Sequence, residues 1–327
     1  MTRLAIITNP RSYRNRLWPL AAQSLRKAAP GAAFYEAGSP SALAAIAQQV
    51  KAAGHEVVAI AGGDGTVQHV VTALDRALSG ALPLLSLLGG GAYDSLAALG
   101  GKGDAEVRLR RLSVALASGT PISAEPGGSE ALRVVERDTL RVGGDCGFRL
   151  GVGLPVAFVE AVYQAGGGRW AGLRTLVRAA NSSMVKGPFA RALYQPLPFT
   201  VWVDGEEWPP LPLAESFYGL VCSTVAEAGL GLRPFRRALE QPGFFQVLGL
   251  TAGPRAFALE LPRLLLGMPA RHDRLLDGVG ERVELRPSSQ HVQGGGAGLR
   301  YLLDGELLDA PGPLSVGLGP RIRVVRA

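Results

Sequence analysis

The chain has 327 residues, of which 47% are hydrophobic and 19% charged, with a formal net charge of +7. This length suits two domains, and the apolar fraction is enough for sizeable cores. Only two cysteines are present, which argues against a disulfide framework or a cysteine-based zinc site. No apolar run reaches the roughly 18 residues of a membrane-spanning helix, and no nucleic-acid-binding module is visible.

The first 120 residues alternate between predicted strands and predicted helices. Apolar runs predict strands at Leu4–Thr8, Val57–Ala61 and Pro83–Leu88. Ser39 and Gly54 are typical of the N-cap and the C-terminal glycine of a helix between them. This alternation predicts an α/β domain with a parallel sheet, whose ligand lies at the carboxyl ends of the strands.

The most informative motif is VVAIAGGDGTV at residues 57–67, a strand followed by a glycine-rich turn and a helix start. Glycines let a ligand approach the backbone closely, and N–H groups at a helix start bind phosphate. Asp64 is unfavourable in an anion site unless it binds a cation or handles a proton. The turn therefore indicates metal-assisted phosphate chemistry.

Beyond residue 120 the pattern changes to many short predicted strands with few helices, which is typical of a mostly antiparallel β-sandwich. We predict a nucleotide-binding domain at 1–122, a sandwich domain at 123–317, and a terminal strand at 318–327 that can return to the first domain. The predicted helices of the sandwich domain are Leu154–Gln164, Trp170–Asn181 and Pro254–Leu266. Its predicted strands are Leu132–Glu136, Thr139–Val142, Cys146–Val152, Phe199–Val203, Ser216–Ser223, Phe244–Leu250, Glu281–Arg286, Leu299–Leu303 and Leu314–Val316.

A second acidic turn, LLDGE at 302–306, places Asp304 and Glu306 two residues apart, so both can point into one cleft. Asp-Gly is also a strong hairpin signal, which the local sequence alone favours. The same triplet recurs at Asp204-Gly205-Glu206, which we interpret as a simple hairpin. Asp64 with Asp304 and Glu306 could supply the metal-linked and proton-accepting groups of phosphoryl transfer across a domain cleft.

Taken in order, these motifs resemble the diacylglycerol kinase catalytic-domain family, which includes bacterial lipid kinases, sphingosine kinases and ceramide kinases. The resemblance runs almost end to end. The matching segments are Asn9-Pro10, GGDGTV at 62–67, GGGAYD at 89–94, VGVGLP near 152 and LLDGE at 302–306.

The resemblance implies an ATP-dependent lipid kinase that uses ATP and Mg²⁺ and phosphorylates the primary hydroxyl of a membrane lipid. The acceptor is diacylglycerol or a ceramide or sphingoid lipid, the latter slightly favoured. Asp304 becomes the general base, with Asp64 and Glu306 metal-linked or supporting. The implied nucleotide site consists of Asn9, Gly62, Gly63, Gly65, Thr66, Gly90 and Gly91.

Several positions depart from the family pattern. Gln68 and His69 stand where an Asn-Glu pair is usual, and Tyr93 lies in a segment that has lost its usual Thr and Asn. Gln241 and Pro242 replace acids that hold a structural magnesium in several bacterial members. Two alternatives therefore stay open: an NAD kinase-like small-molecule kinase, and a catalytically inactive relative that binds lipid or nucleotide.

A lipid kinase must also reach the bilayer. One helical face combines apolar and basic side chains and suits an interfacial helix on anionic lipid, although a core helix with solvated arginines fits equally. Its residues are Trp170, Leu173, Arg174 and Arg178. Phe235 and Phe245 mark a second area, where the core interpretation is preferred. We expect a cytoplasmic protein at the inner membrane surface, without a nucleic-acid partner.

Overall fold

The structure is a computed structural model. It describes residues 3–17, 21–91, 94–101, 103–123, 132–197, 199–209, 217–228, 233–271, 273, 275–287 and 298–327. The chain divides into two compact units, one formed by Met1–Arg137 with Pro320–Ala327 and the other by Asp138–Gly319.

The first unit is an α/β domain. Its helices are α1 (Tyr13–Leu17), α2 (Ala21–Ala28), α3 (Pro40–Ala53), α4 (Asp64–Leu78) and α5 (Ala105–Ala117). Its strands are β1 (Leu4–Thr8), β2 (Ala33–Glu36), β3 (Val57–Ala61), β4 (Leu84–Leu87), β5 (Ile122–Ser123), β6 (Leu132–Arg137) and β19 (Ile322–Arg326).

These strands form one seven-stranded sheet in the order β2-β1-β3-β4-β19-β6-β5. Neighbours are parallel except β19 and β6. Every residue of β1 and β3 is buried, because central strands of a parallel sheet are covered on both faces. The predicted α/β domain with a parallel sheet is confirmed.

The terminal strand β19 returns to the first unit, where it pairs with β4 and β6. Strands β5 and β6 also belong to this sheet, so the unit continues to Arg137 rather than ending at the predicted residue 122. The physical reason is the register of β6, which runs beside β19 from Arg133 to Arg137 and makes that segment part of the first core.

The second unit consists of antiparallel sheets with a helical insertion. Its helices are α6 (Leu154–Gln164), α7 (Gly168–Met184), α8 (Pro188–Leu193) and α9 (Pro254–Leu265). Its strands are β7 (Leu140–Val142), β8 (Asp145–Gly147), β9 (Arg149–Gly153), β10 (Phe199–Val203), β11 (Glu206–Trp208), β12 (Gly219–Ser223), β13 (Phe245–Leu250), β14 (Leu275–Gly280), β15 (Arg282–Pro287), β16 (Leu299–Leu303), β17 (Glu306–Ala310) and β18 (Leu314–Leu318).

Two six-stranded sheets result, in the orders β11-β10-β15-β18-β7-β8 and β14-β13-β12-β9-β16-β17. Side chains from both sheets share one core, including Leu140 and Val316 from the first and Leu220 and Leu303 from the second. This face-to-face packing confirms the antiparallel sandwich.

The predicted single strand Cys146–Val152 is wrong. It is divided into β8 and β9, which belong to different sheets. The chain crosses between the sheets at Phe148, whose fully buried side chain lies at the break. Strand β14 and the short helix α8 had no sequence prediction, whereas α6 has the predicted bounds.

Candidate functional site

The GGDGT turn joins the end of β3 to the start of α4. Gly63 is the N-cap of α4, and as a glycine it has no side chain with which to cap this helix start. An α-helix leaves its first amides without intrahelical partners and carries a partial positive charge there. The turn therefore offers an anion a ready set of backbone donors.

Asn9 and Thr66 tie this turn to the neighbouring strand β1. The Asn9 side-chain amide donates to Thr66 Oγ1 at 3.1 Å, and the Asn9 backbone amide donates to the Ala61 carbonyl at 3.2 Å. A Cβ on Gly62 would lie 2.6 Å from the Thr66 side chain. The structure thus brings these sequence-predicted residues together at the carboxyl ends of β1 and β3.

The second glycine segment, residues 89–91, packs directly against the GGDGT turn. A Cβ built on Gly91 would lie 2.5 Å from the Gly63 Cα atom, and one on Gly63 would lie 2.8 Å from the Gly91 Cα atom. Contacts this short with backbone atoms cannot be relieved by a side-chain rotation. The close approach of two main chains is therefore the physical reason for glycine at both positions.

The amides of this second segment already have an anionic partner. The Asp94 carboxylate accepts from the Gly90 amide at 3.0 Å and from the Gly91 amide at 2.6 Å. Asp94 itself has φ of 45°, a conformation that Asp tolerates better than most residues. Gly90 and Gly91 consequently border the GGDGT turn through their backbone packing, while their N–H groups bind Asp94.

The Asp64 carboxylate also accepts hydrogen bonds from the residues that follow the second glycine segment. The Ser95 hydroxyl donates to Asp64 Oδ2, and the Leu96 amide donates to Asp64 Oδ1 at 3.1 Å. Both carboxylate oxygens therefore have protein donors. Among the described residues there is no group of three or more His, Cys, Asp or Glu side chains that could hold a metal ion.

A buried arginine binds the main chain just before the second glycine segment. Arg108 on α5 donates from Nη1 to the Leu87 carbonyl and from Nη2 to the Leu88 carbonyl, both at 3.0 Å. Burial lowers the pKa of Arg108, and the nearby charges of Asp104 and Asp94 oppose that shift. The guanidinium fixes the carbonyl ends of β4, where the second glycine segment begins.

Asp304 forms the turn of the β16–β17 hairpin in the second unit. Its side chain is fully buried and accepts from the Phe148 amide at 2.7 Å and the Arg149 amide at 3.1 Å. The Arg149 guanidinium Nε lies 3.5 Å from Asp304 Oδ1, and the Asp304 amide donates to the Arg149 carbonyl at 3.0 Å. These donors stabilise the ionised carboxylate and fix its orientation.

The Asp204 turn of the β10–β11 hairpin has the same construction. Asp204 Oδ1 accepts from the consecutive amides of Glu281 at 2.9 Å and Arg282 at 2.8 Å. Its own amide donates to the Arg282 carbonyl at 2.9 Å, and φ is 51° at Asp204 and 46° at Asp304. The differences are that Asp204 is exposed and that Asp304 has a guanidinium partner.

Glu306 begins β17 and is half-buried. Its charge acts on Tyr163 of α6, whose hydroxyl donates to the Gly305 carbonyl at 2.8 Å. Burial raises the pKa of the Tyr163 hydroxyl, and the Glu306 carboxylate raises it further. The LDGE hairpin and α6 thus form one local polar cluster within the second unit.

Helix α7 exposes its large apolar side chains and buries its small ones. Trp170 is 75% exposed and Val177 is 52% exposed, and Leu173 is also on the surface. The buried residues of α7 are Ala171, Gly172, Thr175 and Ser183. A groove of about 870 Å³ runs along this face, bordered by Trp170, Leu173, Arg174, Val177, Arg178 and Phe189. We call this groove and its rim the α7 face.

The interpretation of α7 as a core helix is therefore wrong for Trp170, Leu173 and Val177, which are exposed, because small side chains are the buried ones. The core interpretation is confirmed for Phe235 and Phe245, which are 2% and 0% exposed. Within the described parts of the chain, no helix has the length and apolar character to cross a bilayer.

Sequence reasoning missed four contributors to these sites: Asp94, Ser95, Arg108 and Arg149. An acid three or four residues after a glycine pair is a signal for capping of the turn amides, and it could have identified the contact of Asp94. No local signal indicates the Asp64–Ser95 contact, since these residues are 31 positions apart. Ala92 and Tyr93 lie outside the described residues.

The chain thus combines a parallel α/β unit, which carries the glycine turn, with an antiparallel sandwich unit. The family model described as the diacylglycerol kinase catalytic domain matches residues 3–119. Residues 3–119 therefore match a diacylglycerol kinase catalytic domain, and this match confirms the resemblance inferred from the motifs.

Solved structures with the same fold come from Bacillus anthracis str. Sterne. One protein provisionally named as a diacylglycerol kinase has 14% identity and a TM-score of 0.68 over 100% of this chain and 96% of its own. Another, named as a diacylglycerol kinase, has 12% identity and a TM-score of 0.62 over 100% and 97%. At these identities the likeness concerns the fold. No curated protein matches significantly.

Proposed function

We propose that this protein is an ATP-dependent lipid kinase that transfers the γ-phosphoryl group to the primary hydroxyl of a membrane lipid. The observation that carries the proposal is the glycine turn at the start of α4, whose N-cap residue, Gly63, has no side chain to cap the first amides. This turn lies within the matched catalytic domain. Asn9, Gly62, Gly63, Gly65 and Thr66 would surround the phosphates there, with Gly90 and Gly91 against the turn.

In the proposed reaction the lipid hydroxyl oxygen bonds to the γ-phosphorus while the bond from that phosphorus to the β–γ bridging oxygen breaks. ADP leaves, and the hydroxyl proton passes to a carboxylate base. We assign the base to Asp304, the acid to which the family resemblance gives this role and whose orientation is fixed by the Phe148 and Arg149 amides. One of those hydrogen bonds must give way when the proton arrives.

Magnesium would neutralise charge on the phosphates during this transfer. Mg²⁺ commonly binds through one or two carboxylates together with substrate phosphates rather than in an all-protein cage. The carboxylates of Asp64 and Glu306 are the side chains that we assign to that limited role. Metal would then arrive with the nucleotide.

The α7 face supports a membrane lipid as the acceptor and an anionic bilayer surface as the docking partner. Residues 161–203 hold five Lys and Arg and no Asp or Glu. The exposed Trp170 and Val177 offer apolar surface in the same helix. Cationic and apolar side chains on one face suit the boundary between anionic headgroups and acyl chains.

Vesicle binding tests this docking proposal. Replacing both Arg174 and Arg178 with Gln should weaken binding to phosphatidylserine-containing vesicles roughly thirtyfold, from about 1 kcal/mol for each cation near the surface. Leu173→Ser should weaken it several-fold, whereas Val114→Ser changes an exposed apolar helix residue of the other unit and should have no effect. Equal binding to neutral and anionic vesicles would contradict the proposal.

One observation favours a second candidate, a catalytically inactive relative that binds lipid or nucleotide. Both oxygens of Asp304 already accept hydrogen bonds from two consecutive backbone amides, and the hairpin acid Asp204 likewise accepts from two consecutive amides, through Oδ1. A purely structural role for this acid would leave the reaction without its assigned base. Tight lipid or nucleotide binding without turnover would support this candidate.

An acceptor panel tests the main proposal. The protein is incubated with γ-labelled ATP, Mg²⁺ and mixed micelles containing diacylglycerol, ceramide or sphingosine, with NAD⁺ in a parallel reaction. We expect label in one lipid, with ceramide or the sphingoid base slightly preferred over diacylglycerol. Label in NAD⁺ alone would identify the NAD kinase-like alternative.

A further inference from the structure

We propose that Ser95 is a positioning residue of the nucleotide site and that it acts through Asp64. The proposal rests on the proposed function in one respect only, namely that the anion bound at the glycine turn is a nucleotide phosphate. Ser95 lies outside the residues that the motifs single out, and its hydroxyl is joined to the turn by a hydrogen bond to Asp64.

The contact connects the two glycine segments at a defined point. Asp64 is the first residue of α4, and its carboxylate accepts from the Ser95 hydroxyl and the Leu96 amide. Ser95 and Leu96 follow the second glycine segment closely. We call this pair of hydrogen bonds to Asp64 the Asp64 latch.

The Asp64 latch holds the second glycine segment, which already has hydrogen bonds of its own. Asp94 binds the amides of Gly90 and Gly91, so these two glycines and Asp94 are held together as one piece. That piece touches the nucleotide turn through main-chain atoms, with a Gly91 Cβ position only 2.5 Å from the Gly63 Cα atom. A change in the latch therefore shifts Gly63, the residue that presents the first amides of α4.

Phosphate binding by backbone donors is sensitive to such a shift, because a bound group must be held within about 0.5 Å of its working geometry. The latch also explains why an aspartate is tolerated beside an anion site. Its charge is balanced by the Ser95 and Leu96 donors and by the positive end of α4, so repulsion of the bound phosphate is reduced.

Three variants separate positioning from general destabilisation. Ser95→Ala removes the hydroxyl donor, and Ser95→Thr retains it. Ser118→Ala is the matched control, because the Ser118 hydroxyl donates to the Ala115 carbonyl in the same unit near the end of α5. The measurements are the Kd for ATP by calorimetry, KM and kcat for ATP, and KM for the lipid.

We expect Ser95→Ala to raise Kd and KM for ATP roughly tenfold, since hydrogen bonds to charged groups are among the stronger ones. The KM for lipid should stay unchanged, Ser95→Thr should restore most of the affinity, and Ser118→Ala should resemble the parent. Equal losses in the Ala and Thr variants, or parent-like affinity in Ser95→Ala, would overturn the proposal.

Hydrogen exchange of the ligand-free protein judges the latch independently of any kinase activity. The Leu96 amide donates to Asp64, and losing the neighbouring hydroxyl should accelerate its exchange in Ser95→Ala but not in Ser118→Ala. If the parent binds no nucleotide, the proposed function fails while this exchange result still decides the latch. Unchanged Leu96 exchange in Ser95→Ala would refute the latch itself.

Discussion

Replacing Asp304 by Asn should destabilise the second unit far more than replacing Asp204 by Asn. Asn keeps one acceptor oxygen, but its amide nitrogen then faces a backbone N–H group that the second carboxylate oxygen had accepted from. The substitution also removes the buried negative charge that faces Arg149. Removing one partner of a buried ion pair costs about 3–5 kcal/mol. The Asp304–Arg149 distance is 3.5 Å with Arg149 slightly exposed, so we expect about 3 kcal/mol, near the lower limit.

The matched change Asp204→Asn affects an exposed acid that accepts from two amides without such a buried pair. We expect a loss of about 1 kcal/mol there, the usual value for one intramolecular hydrogen bond. Urea unfolding followed by circular dichroism and tryptophan fluorescence gives both values, because Trp202 and Trp208 lie in the second unit. Similar small losses in both variants would refute the assignment of a buried, paired carboxylate.

The same variant tests the assignment of the base. Measured where it is fully folded, Asp304→Asn should reduce kcat by at least about 100-fold, the lower range for loss of general-base catalysis. The Kd for ATP should change little, since the assigned phosphate-binding residues lie in the other unit. Parent-like turnover in folded Asp304→Asn would remove Asp304 from the mechanism, whatever its contribution to stability.

Two further predictions concern packing. Gly91→Ala should destabilise the first unit by about 2–3 kcal/mol, as in overpacked cores, because its new Cβ meets the Gly63 main chain at 2.5 Å. Thermal unfolding measures the loss, with Gly31→Ala as the control, since its Cβ position has no neighbour within 4 Å. Equal unfolding midpoints for the two variants would contradict the close approach. Cys146 and Cys222 are fully buried, and burial raises the pKa of the Cys222 thiol. A thiol reagent should therefore label neither cysteine until the protein unfolds. Rapid labelling of the native protein would show that this core is open.

Local sequence was sufficient where one element determines its own structure. The continuous apolar runs of β1 and β3 predicted buried central strands, and the Ser39 cap and Gly54 terminus of α3 are as expected. The Asp-Gly pairs at 204 and 304 both form hairpin turns. In each case the signal and the structure that it predicts lie within the same few residues.

Sequence was insufficient where the outcome depends on distant partners. Helical spacing showed that Trp170, Leu173 and Val177 share a face, but it could not show that the small residues of α7 face inward. The division of the predicted strand at Phe148 follows from the crossing between two sheets. The contact of Asp64 with Ser95 depends on how β4 carries the second glycine segment beside α4.

The partition of the γ-phosphoryl group among lipid, NAD⁺ and water tests the central claim most directly. Parent protein and folded Asp304→Asn are incubated with γ-labelled ATP, Mg²⁺, NAD⁺ and the preferred lipid in one reaction. We predict that the parent transfers label to the lipid hydroxyl and that Asp304→Asn largely fails to do so. Label that stays in ATP, or that passes only to NAD⁺ or water, would contradict a lipid kinase.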